Sequence, residues 1–124
     1  MATEPTPPLG DVLIRVSRVN TVCVVAAFGE VDLVSAVTLR EALLGGLEPA
    51  PGGLVADLSG VTFFGSSGLS ALVAADERAK ELGVSFATVG TERVVLVPLR
   101  VTGLDELLAV HPSVDEAVRA ARSS

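Results

Sequence analysis

Ser66 and Ser67 are the residues of this chain best placed to do chemistry. They stand in Asp57-Leu58-Ser59-Gly60-Val61-Thr62-Phe63-Phe64-Gly65-Ser66-Ser67-Gly68-Leu69, which reads as the end of a buried strand, a short turn and two serines at the mouth of an apolar helix. A hydroxyl at such a mouth lies beside backbone N–H groups without intrahelical partners, in the positive field of the first helical turn. A phosphate attached there is stabilised, so the segment predicts a phosphorylatable switch. Serine is also a favoured helix cap whether or not a kinase visits, and on residue type alone both serines suit that plainer role.

A nucleophilic serine is the competing chemistry. A nucleophile elbow needs glycines two residues before and two after the serine. With Ser67 as nucleophile, Leu69 stands where the second glycine belongs; with Ser66, Phe64 replaces the first. The one histidine, His111, adjoins Pro112 and reads as an ordinary loop residue, and a chain of 124 residues is short for a hydrolase sheet. Lys80, the single lysine, follows no glycine-rich phosphate loop. The expectation is a protein that is not an enzyme, with no catalytic residue, no cofactor and no metal site.

Composition excludes further classes. The single cysteine, Cys23, lies among valines, allows no internal disulfide and belongs to no metal-ligand spacing, so it reads as a small buried hydrophobe. A net charge of −6 argues against a face for nucleic-acid phosphates and suits a basic protein partner. Apolar runs stay short of the roughly 20 residues of a membrane span, and the start lacks the basic-then-apolar layout of a signal peptide. The expected location is cytoplasmic, with no membrane partner. The length suits one domain, and with aromatics at only 3% its core must be built from Val, Leu and Ala.

The elements that must position the serines follow from periodicity. Residues 1–10, with Pro5, Pro7 and Pro8, predict a flexible tail, and 11–122 the domain. Val12 to Val16 and Val22 to Phe28 are β-branched runs close enough to form an antiparallel hairpin, the second apolar throughout, as in a strand covered on both faces. Leu33 to Leu47 has helical spacing, with Ala36, Leu39, Leu43 and Leu47 on one side and Asp32 or Ser35 as cap. Leu54 to Leu58 reads as a strand, and Ser66 to Leu82 as a helix with Leu69, Leu72, Ala75, Ala79 and Leu82 inward and Gly83 as stop. Asp76, Glu77 and Glu81 read as a solvated helix face, Asp76 being spaced to pair with Lys80. Val84 to Val89 is a further strand. Residues 93–103 stay open between strand and helix, because Val94 to Val97 has strand propensity while Pro98 suits neither a central strand nor a helix interior. Leu107 to Val110 predicts a last strand. Ser113 and Glu116 form a capping box that opens a last helix with Val114, Ala117, Val118 and Ala121 inward.

This order implies an α/β fold: one mixed sheet, an N-terminal hairpin continued by right-handed βαβ units, flanked by about four helices. Binding sites of such sheets collect at the carboxyl ends of the parallel strands, where Gly29 to Asp32 and Gly60 to Ser67 are expected.

Phe28 to Asp32, Asp57 to Leu69 and Leu99 to Leu104 together resemble the STAS-domain family of anti-sigma factor antagonists, in the same order and over roughly Asp11 to Ala121. The resemblance implies a small mixed sheet flanked by helices, with residues 93–103 helical and Pro98 near that helix's beginning. It implies binding to an anti-sigma factor that is also a serine kinase, which releases a sigma factor. It implies further that phosphorylation at Ser66 abolishes that binding and that a separate phosphatase restores it. The partner-binding residues it implies are Gly29, Glu30, Asp32, Thr62, Gly65, Ser67, Gly68 and Leu69, with Ser67 to Leu69 as a partner-facing first turn. On spacing alone, Glu30 and Asp32 read as a solvated turn and a helix cap. Gly65 departs from the pattern, since the family has Asp before the acceptor; its absence removes a contact to the kinase and a repulsion against phosphoserine. Family members also serve as docking subunits of lipid-transport ATPase complexes and stress-signalling assemblies. A monomer or weak dimer is expected.

Overall fold

The computed structural model describes residues 11–123. The expected tail, 1–10, lies outside them. Strands β1 (Val12–Val19) and β2 (Val22–Val31) form the antiparallel hairpin, turning through Asn20 at φ 57°. There follow helix α1 (Ser35–Gly45), strand β3 (Gly53–Phe64), helix α2 (Ser66–Leu82), strand β4 (Phe86–Val89), helices α3 (Arg93–Val101) and α4 (Leu104–Leu107), strand β5 (Ala109–His111) and helix α5 (Val114–Ser123). The five strands lie in chain order, β1-β2-β3-β4-β5, and β2 to β5 are parallel. The α/β architecture is the expected one, with five helices in place of about four because the single turn of α4 precedes β5.

Burial explains the placement. Val22 to Ala27 are buried without interruption, so β2 is covered on both faces. On one face α1, α2 and α3 lay Leu39, Leu43, Leu72 and Leu99 over Leu54 and Leu58. On the other, α5 packs Ala117, Val118 and Ala121 onto Val22, Val55 and Val89. The Ser113 hydroxyl accepts the Glu116 N–H at 3.2 Å, one half of the predicted capping box.

Two readings change. The predicted turn after Leu58 is absent, because β3 runs on to Phe64 and carries the extra residues of two bulges against β2. These bulges break the alternation of faces, so that Val61 and Phe64, three residues apart, both enter the core. Gly60 is therefore a strand residue, with the Phe28 ring lying where a side chain would stand. Residues 93–101 are helical as the resemblance implies, but Pro98 is the sixth of nine residues and not near the beginning. The helix forms despite its β-branched run because Val95 and Leu99, four apart, are fully buried against the sheet. It closes as the Thr102 hydroxyl and N–H donate to the Pro98 carbonyl at 2.7 and 3.2 Å.

Asp76 also differs from expectation: it pairs with Lys80 at 3.0 Å but is buried, not part of a solvated face. Cys23 is buried as expected, and burial pushes its thiol up, against the nearby Arg18 charge.

Candidate functional site

The carboxyl ends of β2 and β3 lie side by side, Val31 opposite Phe64. The Gly65 N–H donates to the Val31 carbonyl at 3.0 Å, which brings the turn beginning at Asp32 alongside the start of α2. Gly29 and Glu30 lead into this end of β2, and Gly29 holds φ 109°, a left-handed backbone that a side chain would strain.

The Asp32 turn is closely bonded. One Asp32 carboxylate oxygen accepts the Ser35 N–H at 2.9 Å and the Val34 N–H at 3.0 Å. The Ser35 hydroxyl lies 2.9 Å from that same oxygen and 2.6 Å from the Glu30 carbonyl, and accepts the Asp32 N–H. These bonds, first the Ser35 N–H and then the Ser35 hydroxyl, hold the Asp32 carboxyl below the usual aspartate range. Asp32 and Ser35 thus act together where either was expected alone.

At the start of α2 the N-cap is Gly65, and no side chain caps the helix. Ser66 and Ser67 are its first two residues, so the cap role suggested by residue type falls to neither. Their N–H groups head the helix, beyond the reach of its i to i−4 ladder. Ser66 is exposed and Ser67 half-buried.

Gly68 and Leu69, expected in a partner-facing first turn, are both buried. A Cβ on Gly68 would lie 2.6 Å from the Phe64 ring and 2.9 Å from Val31 Cγ1, so this glycine is what allows the first turn of α2 to seat against the sheet. Thr62 is exposed but lines a cleft with Ser59, Glu92 and Arg93, while Ser67 lines a different groove between α1 and α2. Gly29, Glu30, Asp32, Gly65, Ser66 and Ser67 thus gather at one end of the sheet, and Thr62 stands beside them on β3, between Val61 and Phe63, the partners of Gly29 and Glu30.

It adds an apolar surface. Leu33 and Val34 are 77% and 78% exposed, and Val37 is 55% exposed. Leu33 and Val37 line the groove with Ser67 and Ser70, and Phe63, half exposed, lies under Gly65 with its ring 3.3 Å from where a Cβ would stand. Helical periodicity did not single these residues out, since Leu33 and Val34 precede α1, Val37 lies off its inward side and Phe63 belongs to β3.

The site is thus an exposed serine at a helix mouth, bordered by acidic groups and an apolar patch. The STAS domain model matches residues 14–117, and the chain belongs to that family. It is 33% identical over 112 residues to the anti-sigma-F factor antagonist RsfB of Mycobacterium tuberculosis, covering 90% of this chain and 91% of that protein. The crystal structure of an anti-sigma factor antagonist from Mycobacterium paratuberculosis superposes with a TM-score of 0.84 at 35% identity, covering 90% of this chain and 95% of that one. The anti-sigma factor antagonist SpoIIAA in its unphosphorylated form shares the fold, with a TM-score of 0.75 at 16% identity and coverage of 90% and 98%. No helix among the described residues is long and apolar enough to cross a membrane.

Proposed function

We propose that this chain is an anti-sigma factor antagonist that docks an anti-sigma factor through Leu33, Val34, Val37 and Phe63, and that a phosphate on Ser66 blocks docking. The names of its relatives support the first part. The observation that carries the second is the exposed Ser66 hydroxyl at the head of α2, tied through Gly65 and Val31 to the turn that presents the apolar residues. Glu30 and Asp32 border that surface and suit basic groups on the partner. The partner is itself the serine kinase, and a separate phosphatase regenerates the binding form.

A phosphoserine brings about −1.5 to −2 charges to the edge of an apolar contact already flanked by carboxylates. Repulsion and desolvation then oppose docking with no need for refolding. The test is calorimetric titration of the cognate anti-sigma kinase. Ser66→Glu should weaken binding about tenfold or more, roughly 1.4 kcal/mol, while Ser66→Ala binds as wild type and takes no label from ATP. Labelling at Ser67, or a Ser66→Glu protein with undiminished affinity, refutes the switch.

A further inference from the structure

The two edges of the sheet differ. β5 is three residues long, whereas β1 offers eight, Val12–Val19, with nothing beyond it among the described residues. Leu13, Val16 and Val19 along it are 40%, 58% and 39% exposed. A long open edge with exposed apolar residues is a template for another strand.

The phase of its hydrogen bonds can be read directly. The Asp11 carbonyl accepts the Glu30 N–H at 3.0 Å, and the β1–β2 register is unbroken. In an antiparallel ladder bonded and non-bonded pairs alternate, so Leu13, Arg15, Ser17 and Val19 bond inward to β2, while Val12, Ile14, Val16 and Arg18 turn their N–H and C=O groups outward. The Asp11 side chain accepts the Val12 N–H at 2.7 Å, closing that end of the edge. The outward groups left open are those of Ile14, Val16 and Arg18.

We infer that β1 pairs with β1 of a second copy, antiparallel about a two-fold axis at Val16. This axis sets Val16 against Val16 and Ile14 against Arg18, using the three open residues and no others. On the opposite face it sets Leu13 against Val19 and Arg15 against Ser17. An axis at Arg15 would oppose two guanidinium groups, and an axis at Ile14 would require the Val12 N–H that Asp11 already holds. Two-fold pairing is closed, since the short β5 edges are left at the outside and do not propagate a chain of copies. The Ser66 turn lies at the end of the sheet where β1 begins. Antiparallel pairing therefore sends the two serine sites to opposite ends of the joined sheet, clear of the interface.

Sedimentation equilibrium of the full chain from micromolar to millimolar concentration tests this. The mass should rise toward twice 12.6 kDa. Val16→Lys, at an exposed side chain, and Val16→Pro, which removes an outward N–H and none of the β1–β2 bonds, should each weaken association about tenfold or more. Circular dichroism verifies that both fold. Under oxidation Val16→Cys should cross-link, because the opposed Cα atoms of a bonded pair are about 5.5 Å apart, within disulfide reach. Ser17→Cys should cross-link at least several-fold less, its Cα atoms being roughly 8 Å apart in this register. A protein monomeric throughout the range, a dimer indifferent to folded Val16→Lys, or equal cross-linking at both positions overturns the inference.

Discussion

The Val31 carbonyl and the Gly65 N–H, 3.0 Å apart, join the end of β2 to the start of α2. That bond sets two short segments, distant in sequence, into one surface. It also bears on the departure at Gly65. The backbone there is extended, at φ −91° and ψ −177°, a conformation open to any residue, so glycine is not required by geometry.

Gly65→Asp therefore restores the family residue without strain, apart from a small adjustment of the exposed Phe63 ring, 3.3 Å from the added Cβ. An aspartate at the N-cap accepts a first-turn N–H and favours the helix dipole, and the variant should be about 0.5 kcal/mol more stable in urea denaturation. Labelling of Ser66 by the cognate kinase should be faster. An unchanged rate would mean that the carboxylate makes no contact the kinase uses.

Asp32 makes stability depend on pH in the acid range. Its folded-state value lies below its unfolded one because the carboxylate accepts the Ser35 and Val34 N–H groups and the Ser35 hydroxyl. The native state then binds fewer protons, so the contribution is complete above the ordinary aspartate value of about 4 and is lost as pH falls toward the folded value. Asp32→Asn should remove this part of the stability-pH curve, leaving the wild-type and variant curves closer at pH 3 than at pH 6, as about 1-unit steps of urea melts would resolve. Parallel curves would show that the carboxylate has no folded-state partner.

Gly68→Ala tests whether close approach or helix propensity governs the start of α2. Alanine gains up to about 1 kcal/mol in a helix interior. Its Cβ would meet the Phe64 ring at 2.6 Å and Val31 at 2.9 Å, both in the core, and overpacking costs about 1–3 kcal/mol. The second effect should win, with a net loss of about 1 kcal/mol in chemical denaturation. A stabilised variant would mean that the first turn can rise from the sheet at little cost.

The same region shows what a sequence reveals. Ala36, Leu39, Leu43 and Leu47 were recognisable as an inner face because helical periodicity and burial coincide there, and none is more than 5% exposed. The unbroken apolar run of β2 likewise announced cover on both faces. The course of β3 beyond Leu58 was not legible, since its bulges replace alternation with a three-residue interval from Val61 to Phe64 and make Gly60 look like a turn. Helix α3 carries a strand-like run whose helicity comes from tertiary burial of Val95 and Leu99, which no local pattern encodes. For the site, the serine turn could be found from residue types. The inward direction of Gly68 and Leu69 could not, because it depends on how α2 meets Phe64.

The apolar surface beside Ser66 gives a test that separates position from hydrophobicity. Val34 and Val101 are almost equally exposed, at 78% and 80%, but Val34 stands between Asp32 and Ser35 at the site whereas Val101 is the last residue of α3. Serine at either position removes apolar area already in water, so stability should change by no more than about 0.5 kcal/mol in both. The proposed docking would bury only the first. Val34→Ser should reduce affinity for the anti-sigma partner by about 1 kcal/mol or more, as expected when an anchor at a docking surface is truncated, while Val101→Ser leaves it unchanged. Equal losses in the two variants would place the contact elsewhere, and no loss in either would remove the apolar patch from the docking face.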